Sequence, residues 1–412
     1  NDGTIVGSTF TNSLGSYSVY SNGTNIVLTP QLENPAYFNV SPTSQTITFP
    51  DDNNHVSTAD FCMTANGVHP DVEVTIVPLQ PARPGFDADY NIILKNKGNQ
   101  VVAGALDFTY NDSVLDLLSS LPSADAQSLG SLSWDYAGLN PFATQIFHVS
   151  FNVNSPSETP PVNINDVLDF TASAAVANDE TPSDNSFTLH QVVVGSFDPN
   201  DKHCLQGDVV PTAQIGDFLY YSINFENTGT FPAQNVVIRD MIDADKFDIS
   251  SLQVFSASHD DVVNVTGNRL EIFFENIGLE PNEYGYVAFK IKTKNVLSAG
   301  SSVSNTANIF FDFNQPVETN TATTTFQNLG LDNHTTNSGV SIFPNPAGNV
   351  IYIRSQSQVN SVSITDIQGR VVKQIDHPGN EPSVDTSGLT SGTYFVRLNT
   401  DAGIVTQKLI RN

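Results

Sequence analysis

The chain has 412 residues, which on a soft prior of roughly 150 residues per domain leaves room for two to four domains with well-buried cores. Its 43 acidic and 16 basic residues give a net charge of −27, which repels nucleic acid and anionic membrane and removes both from the expected partners. Only 14% of the residues are charged and 39% are hydrophobic, so the chain should fold, and no run of 18 apolar residues offers a membrane helix or direct membrane insertion.

Thr, Ser, Asn, Val, Ile and Phe dominate, and 23 Pro and 26 Gly interrupt them at short intervals. That balance predicts an all-β protein of many short strands. In residues 1–66, Thr4-Ile5-Val6, Tyr17-Ser18-Val19-Tyr20 and Ile26-Val27-Leu28 read as strands, with a turn over Asn12 to Gly15. The chain opens inside this pattern with no signal peptide, as a mature product or a fragment would. The stretch from Ser8 to Tyr17 resembles the hairpin of prealbumin-like modules in surface-protein stalks. The resemblance implies a partial β module over 1–66 whose first strands lie upstream.

Residues 67–194 and 195–327 read as a repeat. Tyr90, Asn96 and Gly98 recur as Tyr221, Asn227 and Gly229 at a constant offset of 131, each time as an alternating strand running into an Asn-x-Gly turn. Each copy carries enough short strands for an Ig-like β-sandwich, and the signature resembles the immunoglobulin-like repeats of bacterial surface stalks. The stretch from Asn111 to Leu121 is the one place where a short helix is expected. The second copy opens Phe197-Asp198-Pro199-Asn200-Asp201-Lys202 and closes with Asn305-Thr306-Ala307-Asn308-Ile309-Phe310-Phe311-Asp312-Phe313-Asn314. Both resemble an FDPNDK-type domain common just before type IX sorting signals.

Residues 328–339, rich in Asn, Thr, Gly and Ser, read as a flexible linker. Residues 340–412 then begin Val340-Ser341-Ile342-Phe343-Pro344-Asn345-Pro346, where two prolines impose an extended entry. Asp366 to Gly369 is a hairpin turn, Gly392 admits a turn before the Tyr394 strand, and a last strand carries Lys408. A small antiparallel sandwich results, whose terminal strand presents an edge open to pairing. In order and spacing these motifs resemble the type A C-terminal sorting domain of type IX secretion cargo of Bacteroidetes (Flavobacterium-like). The resemblance implies recognition by the type IX translocon, transfer to an outer-membrane shuttle barrel protein, and cleavage by a surface sortase in or near the linker. The contact residues it implies are Phe343, Pro344, Asn345, Pro346, Asp366, Gly369, Gly392, Tyr394 and Lys408. Most of these are equally explained by fold maintenance; exposed Lys408 is the better contact candidate.

Catalytic patterns are absent from the sequence: no Gly-x-Ser-x-Gly elbow, no Cys/His signature, no phosphate loop, and eight dispersed histidines without a metal spacing. No enzyme is therefore expected. Trp134, the only tryptophan, reads as a sandwich core residue ahead of a sugar platform. Cys62 and Cys204 fall in different segments, so no disulfide is expected between them. The acidic loops suggest hard-oxygen chemistry: Asp198, Asn200 and Asp201, with Asp312 from the closing strand, are candidate ligands for a structural Ca²⁺ that stiffens the junction between the sandwiches. A plain Asx turn at Asp198-Pro199-Asn200 is the competing reading. Asp179 with Asp184, beside Asn178 and Glu180, is a second acidic candidate. The leading expectation is a secreted or cell-surface stalk or adhesin-like cargo. The alternatives are the non-catalytic C-terminal region of a larger secreted hydrolase, or a glycan-binding surface module.

Overall fold

The computed structural model describes residues 7–12, 14–21, 24–51, 53–195, 198–328, 340–355, 357–366, 370–376, 382–400 and 403–411. Apart from two single-turn 3-10 elements, Pro35–Tyr37 and Thr212–Gln214, all regular structure among them is β-strand. The chain divides into two compact units, Asn1–Asn328 and Leu329–Asn412. The linker expected over 328–339 lies, beyond Asn328, outside the described residues, as does the strand expected at Thr4 to Val6. The short helix expected near Asn111 is not formed. Asn111 caps a turn by accepting from Ser113 N, and Leu115–Leu121 pairs as a strand with Thr144–Val153. Its Leu-rich composition suits a helix, but the cross-strand ladder overrides local propensity.

The first sandwich sets a four-stranded sheet, in the order Val72–Pro78, Asp87–Asn96, Thr144–Val153 and Leu115–Leu121, against a five-stranded one, in the order Ala126–Ser128, Ser131–Leu139, Val102–Tyr110, Val167–Ala174 and Ser186–Val192. Alternation drives Phe147, Val149, Phe151 and Val153 inward from one strand. They meet Trp134, which is buried and donates from Nε1 to Pro122 O.

The second sandwich repeats the plan. Its four-stranded sheet runs Lys202–Cys204, Phe218–Glu226, Tyr284–Thr293 and Phe247–Ala257. Opposite lie Val262–Thr266, Arg269–Phe274, Val236–Met241, Ala307–Phe311 and Val317–Glu318, with the N-terminal pair Ser8–Thr9 added at the Val262–Thr266 edge. The Asn-x-Gly signature has the same structural role in both copies. Asn96 Nδ2 donates to Gln100 O and Leu139 O, and its Oδ1 accepts from Gly98 N. Asn227 Nδ2 donates to Phe231 O and Leu279 O, and its Oδ1 accepts from Gly229 N. A buried side chain thus satisfies two orphan carbonyls where the strand leaves its ladder. Gly98 is required by space as well: a Cβ there would sit 2.3 Å from His69 O.

The two sandwiches are not independent beads. Phe218–Glu226 is buried on both faces along most of its length, because one face fills its own core and the other meets the first sandwich. Tyr220, Tyr286 and Ala288 belong to the first sandwich's hydrophobic cluster, and Asn91 Nδ2 donates to Tyr286 Oη at 3.2 Å. Residues 7–66, expected to be a partial prealbumin-like module, form two two-stranded ribbons, Asn25–Leu28 with Gln45–Thr48 and Phe38–Ser41 with Cys62–Ala65. Among the described residues this segment has no hydrophobic cluster of its own. It docks instead, with Tyr37 stacked on His69 at 4.5 Å and Phe38 on Phe142 at 4.7 Å. Both cysteines are free, Cys62 exposed and Cys204 buried.

The terminal unit is a small sandwich of a three-stranded sheet (Ser341–Phe343, Val350–Arg354, Ser383–Asp385) and a four-stranded sheet (Val371–Asp376, Val359–Asp366, Gly392–Thr400, Gly403–Arg411). Ile351, Ile353, Val362, Ile364, Val384, Val396, Leu398 and Leu409 form its core.

Candidate functional site

In the terminal unit the Pro-Asn-Pro entry and the last strand are one structure. Asn345 Nδ2 donates to Lys408 O at 2.8 Å and Asn345 Oδ1 accepts from Ile410 N at 2.9 Å. Ala347 N continues the contact to Ile410 O. The asparagine side chain therefore supplies the strand pairing that its proline neighbours, lacking an N–H, cannot complete. This covers the end of an edge that the sequence alone suggested was open. Pro344, Pro346, Lys408 and Phe343 are exposed around it, and Phe343 stacks on Tyr352 with Arg354 over its ring at 5.7 Å. Asp366 holds the hairpin by accepting from Arg370 N and Arg370 Nε, each at 3.0 Å. Gly369 lies outside the described residues. Tyr394 is buried and donates from Oη to Thr390 O, so it serves the core. A Cβ on Gly392 would meet only Tyr394 at 3.9 Å, so space does not demand glycine there. Of the nine sequence-selected residues, Phe343, Pro344, Asn345 and Pro346 are consecutive and exposed, and Asn345 bonds the backbone of exposed Lys408.

The acidic residues chosen for Ca²⁺ are not gathered. Asp198 Oδ1 accepts from Asn200 N, Asn200 Oδ1 accepts from Glu226 N, and Asp201 Oδ1 accepts from Asn224 Nδ2. Asp312 is spent capping Gln234 N and Asn235 N. Asp198 thus makes the Asx turn that was the competing reading, and the other three side chains clamp separate segments. Among the described residues the acids close enough to share a cation are Asp71, Asp179 and Asp184, one oxygen from each lying within 4.8 Å of the others. Asp179 and Asp184 were legible as a candidate pair; Asp71 was not.

This trio borders a buried charge network at the junction. Glu73 accepts from Lys290 Nζ at 2.7 Å on both oxygens and from Tyr220 Oη at 2.6 Å. Glu33 of the N-terminal segment bridges Lys290 at 3.2 Å and Lys97 at 3.0 Å, and Lys97 reaches Asp184 at 2.6 Å. Burial pushes Glu73 upward, but Lys290 and Lys97 outweigh it and bring its carboxyl to about 2. For Asp71 and Asp184 burial prevails over Lys97, raising them to about 6 and about 7. Sequence reasoning missed Glu33, Glu73, Lys97 and Lys290. Glu73 and Lys290 alternate with core residues, as Val72-Glu73-Val74 and Phe289-Lys290-Ile291, which in sequence is the ordinary pattern of an outward-facing charge; only the packing of the two outward faces against each other buries them.

Residues 341–412 match the family model described as a secretion system C-terminal sorting domain, and residues 198–325 match a domain of unknown function, DUF7619. No curated protein sequence matches the chain. Similar solved structures include the C-terminal domain of the Streptococcus pyogenes antigen I/II-family protein AspA (12% identity, 63% of this chain and 100% of that one, TM-score 0.24). Others are BcpA, the major pilin subunit of Bacillus cereus (12%, 82% and 92%, TM-score 0.25), and the collagen adhesin CNA from S. aureus (13%, 64% and 96%, TM-score 0.22). The fold is all-β, built of Ig-like sandwiches, and no helix among the described residues is long and apolar enough to cross a membrane. The last unit carries the sorting signal, and the chain is a type IX secretion cargo, exported to the cell surface or released beyond it.

Proposed function

We propose that the chain is a non-enzymatic surface stalk or adhesin-like scaffold of a Bacteroidetes cell, in which residues 1–328 are the cargo and the terminal sandwich is its export signal. The observation that carries this reading is the pairing of a self-contained sorting sandwich with a cargo unit whose two repeats are locked through a buried, charged junction. A load-bearing spacer needs that locked junction, because repeats joined only by flexible linkers would reorient. In this reading the type IX translocon and the outer-membrane shuttle barrel read the patch of Phe343, Pro344, Asn345, Pro346 and Lys408. The surface sortase then cuts within 328–339.

Recovery of outer-membrane partners with the intact chain and with residues 338–412 deleted tests it. The intact chain should capture translocon and barrel proteins and the deletion should not. Equal capture by both sinks the sorting role assigned to the patch.

A structural Ca²⁺ belongs to this reading as a lesser part, at Asp71, Asp179 and Asp184. Asp71 Oδ1 and Asp184 Oδ1 are buried without hydrogen-bond partners, which suits lone pairs meant for a hard cation.

A further inference from the structure

The second sandwich buries a set of reactive groups that neither export nor spacing uses. Lys202, at the end of the opening motif, and Asp240 have no exposed surface, and Asn305 is 4% exposed. They arrive on three strands, Lys202–Cys204, Val236–Met241 and Ser302–Asn305. Lys202 Nζ is bonded to Asp240 Oδ2, and Asn305 Nδ2 donates to that same oxygen at 3.2 Å. A primary amine and a carboxamide are thus neighbours across one carboxyl group.

The rest of the pocket is apolar and positions the amine. Nζ lies 5.2 Å from the centroid of the Tyr221 ring and 5.1 Å from that of Phe289. Asn320 clamps the Lys202 backbone, accepting from Lys202 N at 2.8 Å and donating to Lys202 O at 2.9 Å. Asp240 Oδ1, Asn305 Oδ1 and Tyr221 Oη are buried with no hydrogen-bond partner. As a device for stability alone this is a poor arrangement: a buried ion pair is often less stable than an apolar replacement, and unmet polar atoms add a further cost. The equivalent core of the first sandwich is filled by Trp134 and phenylalanines, with no such trio.

We propose that Lys202 Nζ and Asn305 Cγ join in an intramolecular isopeptide bond, with Asp240 as the acid–base group of the self-catalysed step. Burial holds the lysine below and the carboxyl above their usual values, which eases transfer of the proton from Nζ to Asp240; with the proton there, the amine is a free nucleophile beside the carboxamide. A half-turn of the carboxamide presents Asn305 Oδ1 to the Asp240 hydroxyl, which polarises the carbonyl. Nζ attacks Cγ and the new C–N bond forms. The amine's surplus proton passes through Asp240 to Nδ2, the Cγ–Nδ2 bond breaks, and ammonia leaves. Asp240 ends protonated, as it was when the amine attacked, and nothing is oxidised or reduced. Exclusion of water by the aromatic walls favours the amine over hydrolysis of the same amide. The product ties the opening strand of the domain to a strand near its close, so tension entering at one end passes through a covalent link.

Intact mass spectrometry of the full chain, with tryptic mapping, tests the proposal. The native chain should be lighter than its sequence by one ammonia. Mapping should yield one branched peptide joining the Lys202 and Asn305 segments, with no cleavage after Lys202. Asn305→Ala and Lys202→Arg should each return the mass to the full sequence value. A native chain at full mass and cleaved after Lys202 overturns the proposal, as does an ammonia loss mapped to a different asparagine. The decisive reading is on the unsubstituted chain, so a variant that does not fold leaves the outcome intact.

Discussion

The two large sandwiches share a plan, a signature and a pair of asparagine pins, yet they solve the problem of a stable core differently. The first packs aromatics: Tyr90 on Phe170 at 4.4 Å, Tyr110 on Phe151 at 4.6 Å and Trp134 on Phe147 at 5.2 Å. The second gives part of its interior to Lys202, Asp240 and Asn305, accepting desolvation that burial of apolar rings would avoid. A duplicated scaffold thus keeps the pins that hold its loops, while the core diverges between dispersion packing and charged chemistry. The difference teaches that the shared turn signature reports topology and is silent about what the core contains.

Breaking the second core should have the largest effect. Lys202→Met strands Asp240 in the core and removes the cross-link, at a cost of about 5 kcal/mol or more. Urea unfolding should show it, and the double variant Lys202→Met with Asp240→Leu should recover only part. Full recovery would mean that no covalent link contributes.

The matching cut in the first sandwich is Trp134→Ala, expected to cost about 4 kcal/mol through the cavity it leaves. Hydrogen exchange should localise the loosening to residues 67–194; protection lost equally in both sandwiches would make them one cooperative unit.

The junction between the two should yield to acid. Glu73 has its folded value at about 2, below its ordinary value of 4.5, so its stabilisation is complete above pH 4.5 and is lost as pH falls toward 2. The expected loss is about 3 kcal/mol over that window. Glu73→Gln should flatten the acid limb of the melting curve, and an unchanged limb would remove Glu73 from the account.

The pins sharpen the comparison from the other side. Asn96→Ala and Asn227→Ala should each cost about 2 kcal/mol, because each leaves one buried and one partly buried carbonyl unmet. Unequal costs measured in parallel would show that the copies have diverged in their loops as well.

The smallest effect expected is that of Ca²⁺. A tenfold excess over its dissociation constant should raise stability by about 1.4 kcal/mol. EDTA and Asp71→Asn should each abolish the gain, and identical melting with and without the ion would exclude the site.

The sequence by itself determined the all-β class, the repeat, and the sorting domain, because these rest on local regularities: period-two alternation, turn residues, and short motifs read in order. It also marked Lys202 and Asn305 as domain-boundary residues and Asp179 with Asp184 as acidic candidates, without assigning Lys202 and Asn305 any chemistry. Only the tertiary structure decided which of these meet. Asp198, Asp201 and Asp312 looked like ligands, but Asp198 closes its own Asx turn while Asp201 and Asp312 clamp other segments, at Asn224 Nδ2 and at Gln234 N and Asn235 N, so their oxygens are spent apart from one another. Lys202, Asp240 and Asn305 lie on separate strands, and Glu33, Glu73 and Lys290 on separate segments. Strand register and burial bring them together, and desolvation gives them their reactivity and their ion pairs. Neither quantity can be read from the spacing of residues along the chain.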